Sequence, residues 1–422
     1  MIKEPLVKDF SCMDDYDPNS LPADVALDTI MSSLSVIHGD ESRALRSALN
    51  AVLAEDIHST INVPSSLNSA MDGYAFSSVD IPAEGIAELR VIGTSWAGKP
   101  LPGQVASGEC ARIMTGGVLP SGTDTVVIQE SVERVGESIH IDAEVKKGDH
   151  VRQAGEDIAS GELVLARGSR ITAADLGLLA SLGIGEVRVK RKLRVAFFST
   201  GDELRSLGEA LDEGSVYDSN RYTLYGMLSR LDCDLIDMGV IRDRREDVEE
   251  AFLSASAMAD VVISSGGVSV GEADFVKETL DKLGKVEFWK VAMKPGRPLA
   301  FGRVGNACFF GLPGNPVSVM VTFYQFVQPA LRKLMGENRT DIITMKVPSA
   351  SRLKKRPGRL EYQRGIMERD ADGQLLVRKT GAQGSGILSS MSQANCFIVL
   401  SIESSTVEPG DLVDVQPFFG LV

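Results

Sequence analysis

A chain of 422 residues exceeds what one ordinary core can organise and calls for about two to four domains. It is 43% hydrophobic and 24% charged, and no apolar run approaches the roughly 18–20 residues that cross a bilayer, so a membrane-spanning segment is excluded. The formal net charge of −14 opposes non-specific nucleic-acid binding, so any anionic ligand has to be held by a local pocket.

Residues 1–20, MIKEPLVKDFSCMDDYDPNS, carry acids and lack the apolar stretch of a secretory signal; they read as a flexible acidic tail, and the expected address is the cytoplasm. Between Leu21 and Ile57 two helical patterns follow. The second, ESRALRSALNAVLAED, sets Leu45, Leu49, Val52 and Leu53 on one face. Residues 58–168 change character: short strand-like runs (LRVIGTS, ECARIMTG, DTVVIQE, SIHIDAEV) alternate with Gly/Pro turns, as in a compact β-rich insert. Thr172 then opens a helix with a capping box to Asp175.

Residues 193–336 alternate strands and helices. LRVAFFST is a continuous apolar strand, a helix is expected from Asn220 to Leu231, and DLIDMGVI, RREDVEEAFLSASAMA, DVVISS and ADFVKETLDKLG continue the alternation. KVEFWKVAM, PLAFGRV and ACFFGLP lead into a long helix from Asn315 to Met335. This order predicts an α/β domain with a parallel sheet covered on both faces. From about residue 341, strand-sized runs punctuated by Gly and Pro predict a small β-barrel or sandwich.

The five cysteines, Cys12, Cys110, Cys233, Cys308 and Cys396, are widely spaced and form no C-x-x-C pair, which argues against a zinc site or a disulfide framework. His38, His58, His140 and His150 all precede the α/β region, so chemistry there has to rest on carboxylates, lysines or a metal ion. Open parallel sheets bind ligands beyond the carboxyl ends of their strands. Three such ends carry small residues: Ser199-Thr200-Gly201-Asp202-Glu203; Ser264 through Gly266, Gly267, Ser269 and Gly271 to Asp274; and Gly311 through Pro313, Gly314 and Asn315 to Pro316 at a helix start. Backbone N–H groups in such turns, aided by a helix N-terminus, suit a phosphate or oxyanion. None ends in the G-K-[ST] of a P-loop. Lys290, Lys294 and Arg297 beside these turns fit either anion binding or a solvated strand end. Asp202, Glu203, Asp243 and Asp274 offer hard oxygen ligands for Mg²⁺ or, equally, helix N-caps. Asn68-Ser69-Ala70-Met71-Asp72-Gly73-Tyr74-Ala75 reads as a loop with no purpose visible in its own residues.

Taken in order, NSAMDGYA, RIMTGGVLPSGTDTVV, VRQAGEDI, FSTGDEL, YDSNR, SSGGVSVGEADF, KPGRPLAFG and GLPGNPVSVMVTF resemble the molybdopterin molybdenumtransferase family, which includes the bacterial MoeA proteins and the E domain of gephyrin. The resemblance runs from about residue 21 to the C-terminus. It implies a helical elongated segment split between 21–57 and 160–192, a β-rich insert at 58–159, a molybdopterin-binding α/β domain at 193–340 and a C-terminal β-barrel at 341–422. It implies a homodimer whose active site combines one subunit's α/β domain with the partner's insert. The implied reaction takes adenylylated molybdopterin and molybdate, uses Mg²⁺, and yields molybdenum cofactor and AMP. A molybdopterin adenylyltransferase and molybdoenzyme maturation factors are the implied partners. By motif, Asp72 and Thr115 would come from the partner, and Asp157 would shape the same cleft. Glu203, Asp243 and Asp274 would act at the Mg²⁺ and adenylate region. Lys290 and Lys294, with Gly266, Gly267, Ser269, Gly271, Pro313, Gly314, Pro316 and Ser318, would line the pterin phosphate and oxyanion site, joined by Arg364 and Ser385 from the barrel. Two rivals share parts of this pattern. An adenylyltransferase on the same α/β fold lacks the long N-terminal region and NSAMDGYA, and a scaffold role lacks an appended domain or long linker.

Overall fold

The computed structural model describes residues 20–267, 275–339 and 341–418. Ser269, Gly271, Asp274 and nearly all of the acidic tail lie outside the described residues. No described helix is long and apolar enough to cross a membrane.

The centre is a six-stranded sheet built from β1 (Arg194–Thr200), β2 (Asp234–Ile241), β3 (Val261–Ser265), β4 (Gly284–Lys290), β5 (Pro298–Val304) and β6 (Ala307–Leu312), in the order β2-β1-β3-β6-β5-β4. Helices α1 (Ser219–Ser229), α2 (Arg245–Met258) and α3 (Phe275–Leu283) connect them. The apolar run in β1 is continuous because both faces are covered. Val195 and Phe197 pack with Leu224 and Leu228 of α1, while Ala196 and Phe198 pack with Val248 and Phe252 of α2. Edge-to-face contacts of Phe252 with Phe198 and Phe309, each with ring centres 5.3 Å apart, knit the second face.

The expectation of a wholly parallel sheet is corrected at one side. β2, β1, β3 and β6 are parallel, but β5 runs antiparallel to both β6 and β4. Val304 and Ala307 pair across a tight turn at Gly305, and a parallel crossover would need about a dozen residues or more. The expected long helix after β6 is divided as well. It runs as a helix over Pro316–Thr322, one widened π turn over Phe323–Val327, and a helix over Gln328–Leu334. Pro329 supplies no N–H for the carbonyl four residues back, and the wide turn absorbs that missing bond.

ESRALRSALNAVLAED is not helical. Asp40–Ala44 is a strand paired antiparallel with Glu186–Lys190, followed by a single 3₁₀ turn at Leu45–Ser47 and a left-handed Asn50. Leu53 is fully buried with Val187, Val189 and Leu179, whereas Leu49 stays exposed, so one helical face was not what the core needed. The capping box at Thr172 and Asp175 is present and opens the helix Ala173–Ser181.

The insert is a second six-stranded sheet that includes Gly73–Phe76, Ile86–Ser95, Glu109–Ile113, Thr125–Ile128 and Ser138–Asp142. The C-terminal sheet joins Met293–Lys294, Leu360–Arg369, Cys396–Leu400, Leu412–Pro417 and Met345–Pro348, with Leu375–Lys379 beside Leu360–Arg369. Ser349 bridges Val377, so this sheet closes into a barrel. The described cysteines Cys110, Cys233, Cys308 and Cys396 are free and buried, and burial pushes each thiol up to about 12.

Phe252→Ala empties the aromatic centre of the α2 face. It is expected to cost about 3–5 kcal/mol of stability, read from the denaturant midpoint of the α/β unit.

Candidate active site

The chain leaves β1 to one side for β2 and to the other for β3, which makes the carboxyl ends of β1 and β3 the switch point of the sheet. The turns there are packed backbone to backbone. Gly266 has φ +93° and Gly267 φ +65°. A Cβ on Gly266 would stand 2.6 Å from the Thr200 carbonyl oxygen, and one on Gly267 would stand 2.4 Å from Val276 Cγ2. Both positions therefore require glycine. The Gly266 amide also donates to the Leu312 carbonyl at 3.1 Å, tying the β3 turn to the end of β6.

Asn220, at the start of α1, fastens the same two turns. Its Nδ2 donates to Ser265 Oγ at 2.9 Å and to the Gly314 carbonyl at 2.7 Å. Asp218 fixes α1 beneath it: this buried carboxylate caps the Arg221 amide and accepts from Ser199 Oγ at 3.0 Å.

These turns enclose a cleft of about 560 Å³ between the sheet and the barrel. Its walls include Glu203, Asp243, Gly266, Gly267, Lys294, Pro313, Gly314, Ser318 and Ser385, nine of the residues that the resemblance assigns to the site. Thr200, Arg297, Asn315 and Arg359 line it too. Arg359 was missed; the basic Pro-Gly turn Lys355-Arg356-Pro357-Gly358-Arg359 was the signal available. Asn220 was also missed as a fastener, since only the fold brings YDSNR beneath two strand ends.

The barrel reaches the cleft through backbone seams. Met293–Lys294 pairs in parallel with Leu360–Glu361, and the Val317 amide donates to the Ser385 carbonyl at 3.1 Å. The Gly384-Ser385 turn is held from behind by Arg364. That guanidinium is 1% exposed and donates to Ser390 Oγ at 3.0 Å and to the Gly384 carbonyl at 2.9 Å. Burial lowers its pKa to about 10. Arg364 thus positions Ser385 and does not itself line the cleft. Lys290 lies at the end of β4, with its carbonyl accepting the Leu21 amide at 2.8 Å, and is outside the lining, as is Pro316 at the helix start.

The cleft has two electrical ends. Lys294, Arg297 and Arg359 stand toward the barrel, with Lys294 Nζ 4.0 Å from the Glu361 carboxylate. Glu203 and Asp243 stand toward β1 and β2, and Asp202 behind them accepts the Asp243 amide at 3.2 Å. Removal from water, followed by the negative charges of Asp202 and Glu203, pushes the Asp243 carboxyl above its ordinary range. An acid pair in this state is short of positive charge, and its hard oxygens fit a divalent cation such as Mg²⁺. Among the described residues no group of three His, Cys, Asp or Glu side chains is poised to hold a metal; Asp274, the expected third carboxylate, lies outside them.

Asp72, Thr115 and Asp157 are in the insert and do not line this cleft within the same chain. Asp72 Oδ1 accepts from the Thr115 amide at 2.7 Å and from Thr115 Oγ1 at 2.8 Å, which holds its carboxyl below the usual range. Asp157 is exposed, its amide bonded to the Val63 carbonyl at 3.0 Å.

Family models match in three blocks: the MoeA N-terminal region (domain I and II) over residues 21–183, a probable molybdopterin binding domain over 196–333, and the MoeA C-terminal region (domain IV) over 346–418. A molybdopterin molybdenumtransferase of Haemophilus influenzae is 45% identical across 94% of this chain and 98% of its own. One from a Nostoc species is 37% identical, over 87% and 86% respectively. The crystal structure of a molybdopterin biosynthesis moeA protein from Pyrococcus horikoshii superposes with a TM-score of 0.83 at 29% identity, over 94% of this chain and 100% of that one.

Because folding raises the Asp243 pKa, its contribution to stability is present in acid and is lost as pH rises through the raised value. In chelated protein, Asp243→Asn is expected to stabilise the fold at neutral pH by up to roughly 1 kcal/mol, solvent screening keeping the gain small. The gain should vanish below the carboxylate range. Denaturant midpoints across pH would read it, and a gain that persists in acid contradicts the cause assigned here.

Proposed function

The chain belongs to the molybdopterin molybdenumtransferase family, and from this we propose that it inserts molybdate into adenylylated molybdopterin with release of AMP, completing molybdenum cofactor. The observation that carries the reading is the polarity of the cleft, cationic at the barrel and acidic at β1 and β2, with glycine turns between.

Such a cleft suits two anions that must be brought together against their own repulsion. Lys294, Arg297 and Arg359 hold the oxyanion by charge, and the hydroxyls of Ser318 and Ser385 donate to its oxygens. The turn at Gly314 and the helix start behind it favour the pterin phosphate, because close backbone approach and the helix dipole both act on an anion. Glu203 and Asp243 would hold Mg²⁺, which when bound neutralises the phosphoanhydride and polarises it for cleavage. Without a cation, these carboxylates would repel the adenylate that the other end attracts. Departure of AMP makes insertion hard to reverse.

Asp72 completes the site from a second copy of the chain in this reading. Its Oδ1 is committed to Thr115, so the carboxylate has a fixed direction and a persistent charge, although it lies on the insert. Asp157 lies on the same insert. The reaction is assigned to the cytoplasm, where an adenylyltransferase supplies the substrate and molybdoenzyme maturation consumes the product.

Glu203→Gln keeps the size of the side chain but removes its charge. It is expected to lower molybdate-dependent AMP release by about a hundredfold or more, and full activity would remove Glu203 from its role. Mixing Asp72→Ala with Glu203→Gln subunits tests the shared site. Random reassociation gives heterodimers in which one cleft carries both changes and the other neither, so activity should recover to about a quarter of wild type. Recovery is absent if Asp72 serves its own subunit's cleft.

A further inference from the structure

The turn that follows β6 reads Pro313-Gly314-Asn315-Pro316. Proline has no N–H, so the backbone donors of these four residues are the amides of Gly314 and Asn315. Neither finds an acceptor among the described residues. Gly314 itself is not demanded by strain or by crowding. Its φ lies outside the left-handed range, and a Cβ there would meet nothing within 4 Å. What the missing side chain leaves is open access to the backbone of a turn that lines the cleft.

The carbonyls of the same turn are occupied from below. Asn220 Nδ2 donates to the Gly314 carbonyl at 2.7 Å and to Ser265 Oγ at 2.9 Å. Ser265, only 2% exposed, passes a longer bond of 3.4 Å on to the Pro313 carbonyl. Both peptides concerned are trans, and across a trans peptide the carbonyl of one residue points opposite to the N–H of the next. Drawing these two carbonyls onto Ser265 and Asn220 therefore turns the Gly314 and Asn315 amides the other way, where both residues line the cleft. Adjacent amides aimed into one space form a concavity suited to an anion.

Asn220 does this with its donor side alone. Both Nδ2 hydrogens are committed, while Oδ1 is buried without a hydrogen-bond partner among the described residues. The side chain rides on the first turn of α1, which Asp218 pins by accepting from the Arg221 amide at 3.2 Å and from Ser199 Oγ at 3.0 Å. A residue that only filled space could be exchanged for its isosteric acid. This one faces a carbonyl oxygen, which can only accept, so a carboxylate in its place would be repelled.

We propose that Asn220 is a positioning residue for anion binding in the cleft: by holding the Gly314 carbonyl directly and the Pro313 carbonyl through Ser265, it presents the Gly314 and Asn315 amides to a phosphate. The identity of that phosphate, the one carried by adenylylated molybdopterin, rests on the proposed reaction; the orientation of the turn rests on the hydrogen bonds alone.

Asn220→Asp keeps the size of the side chain and places an acid in the first turn of α1, which favours the helix, so the thermal midpoint should be retained. Inorganic pyrophosphate is the probe, since it needs no pterin. By calorimetry it should bind Asn220→Asp about tenfold or more weakly than wild type. Asn220→Ala should weaken it in the same direction, which separates loss of the donor from repulsion by the new carboxylate. In molybdate-dependent AMP release, the loss in both variants should fall on KM for adenylylated molybdopterin, with kcat changed far less. Crystals of Asn220→Asp grown above neutral pH should show the Gly314 carbonyl swung away from residue 220. If neither variant folds, Ser265→Ala, which cuts the link to Pro313, is read in the same way. Wild-type protein that binds pyrophosphate but releases no AMP refutes the reaction and leaves Asn220 to be judged by binding. Wild-type protein that fails to bind pyrophosphate, wild-type affinity and KM in folded Asn220→Ala, or an unmoved Gly314 carbonyl in Asn220→Asp overturns the proposal.

Discussion

Thr200 ends the first strand of the central sheet pressed against the turn that follows β3, its carbonyl oxygen 2.6 Å from where a Cβ of Gly266 would stand. This contact closes the switch point of the sheet so that the two turns share one wall. The third turn is drawn in by the Gly266 amide on Leu312 and by the Asn220 amide on Gly314. The candidate backbone contacts in the cleft depend on that close approach, because backbone donors reach an anion only where side chains are absent. Among the described residues Thr200 Oγ1, Asn220 Oδ1 and Ser264 Oγ are buried at this junction with no hydrogen-bond partner, a concentration of unmet polar atoms that sheet packing alone does not call for.

Charge is sorted by the same architecture. The acidic end is contributed by the turns after β1 and β2, which the Gly201 amide joins by donating to the Ile241 carbonyl at 3.4 Å. The basic end comes from the segment between β4 and β5 and from the barrel. An overall negative chain can bind anions only if its cations are gathered in one place, and here a whole folding unit is laid against the sheet to do so. Neither unit alone carries the cleft, so losing their junction would separate its basic wall from its acidic one.

Much of the central sheet was legible because burial on both faces writes itself as unbroken apolar strands, as in Val195–Phe198 and Val261–Ile263. The glycine turns were legible for a related reason: a strand end crowded with small residues gives up side-chain packing, and three of them on one sheet edge point to a ligand that needs the backbone close. What was illegible depended on partners remote in sequence. ESRALRSALNAVLAED reads as helix from the spacing of Leu45, Leu49, Val52 and Leu53, but Asp40–Ala44 at its start is a strand because Glu186–Lys190 arrives to pair with it. Arg364 sits among residues that read as a ligand contact, yet its guanidinium is committed to Ser390 and Gly384 behind the cleft. Arg359 went unnoticed since nothing local distinguishes a cation that lines a cleft from one that meets solvent. The three carboxylates Glu203, Asp243 and Asp274 were chosen by motif, and only for the first two does the fold reveal a common wall.

The junction of sheet and barrel is held by a shared apolar core, in which Tyr324 meets Phe397 and Phe418, and by main-chain bonds beside the cleft. Ala292 accepts the Leu360 amide at 2.9 Å, Met293–Lys294 continues as a strand beside Leu360–Glu361, and Ser385 accepts the Val317 amide in the first turn of the helix after β6. These are main-chain bonds, whose geometry is fixed by the peptide groups on both sides rather than by rotamer choice. Lys294 therefore leaves a strand whose direction is already set, with its ammonium 4.0 Å from the Glu361 carboxylate. Arg359 is set the same way by the turn that Lys355 stitches. With the backbone of both cations ordered in advance, only side-chain freedom remains to be lost if an anion binds between them.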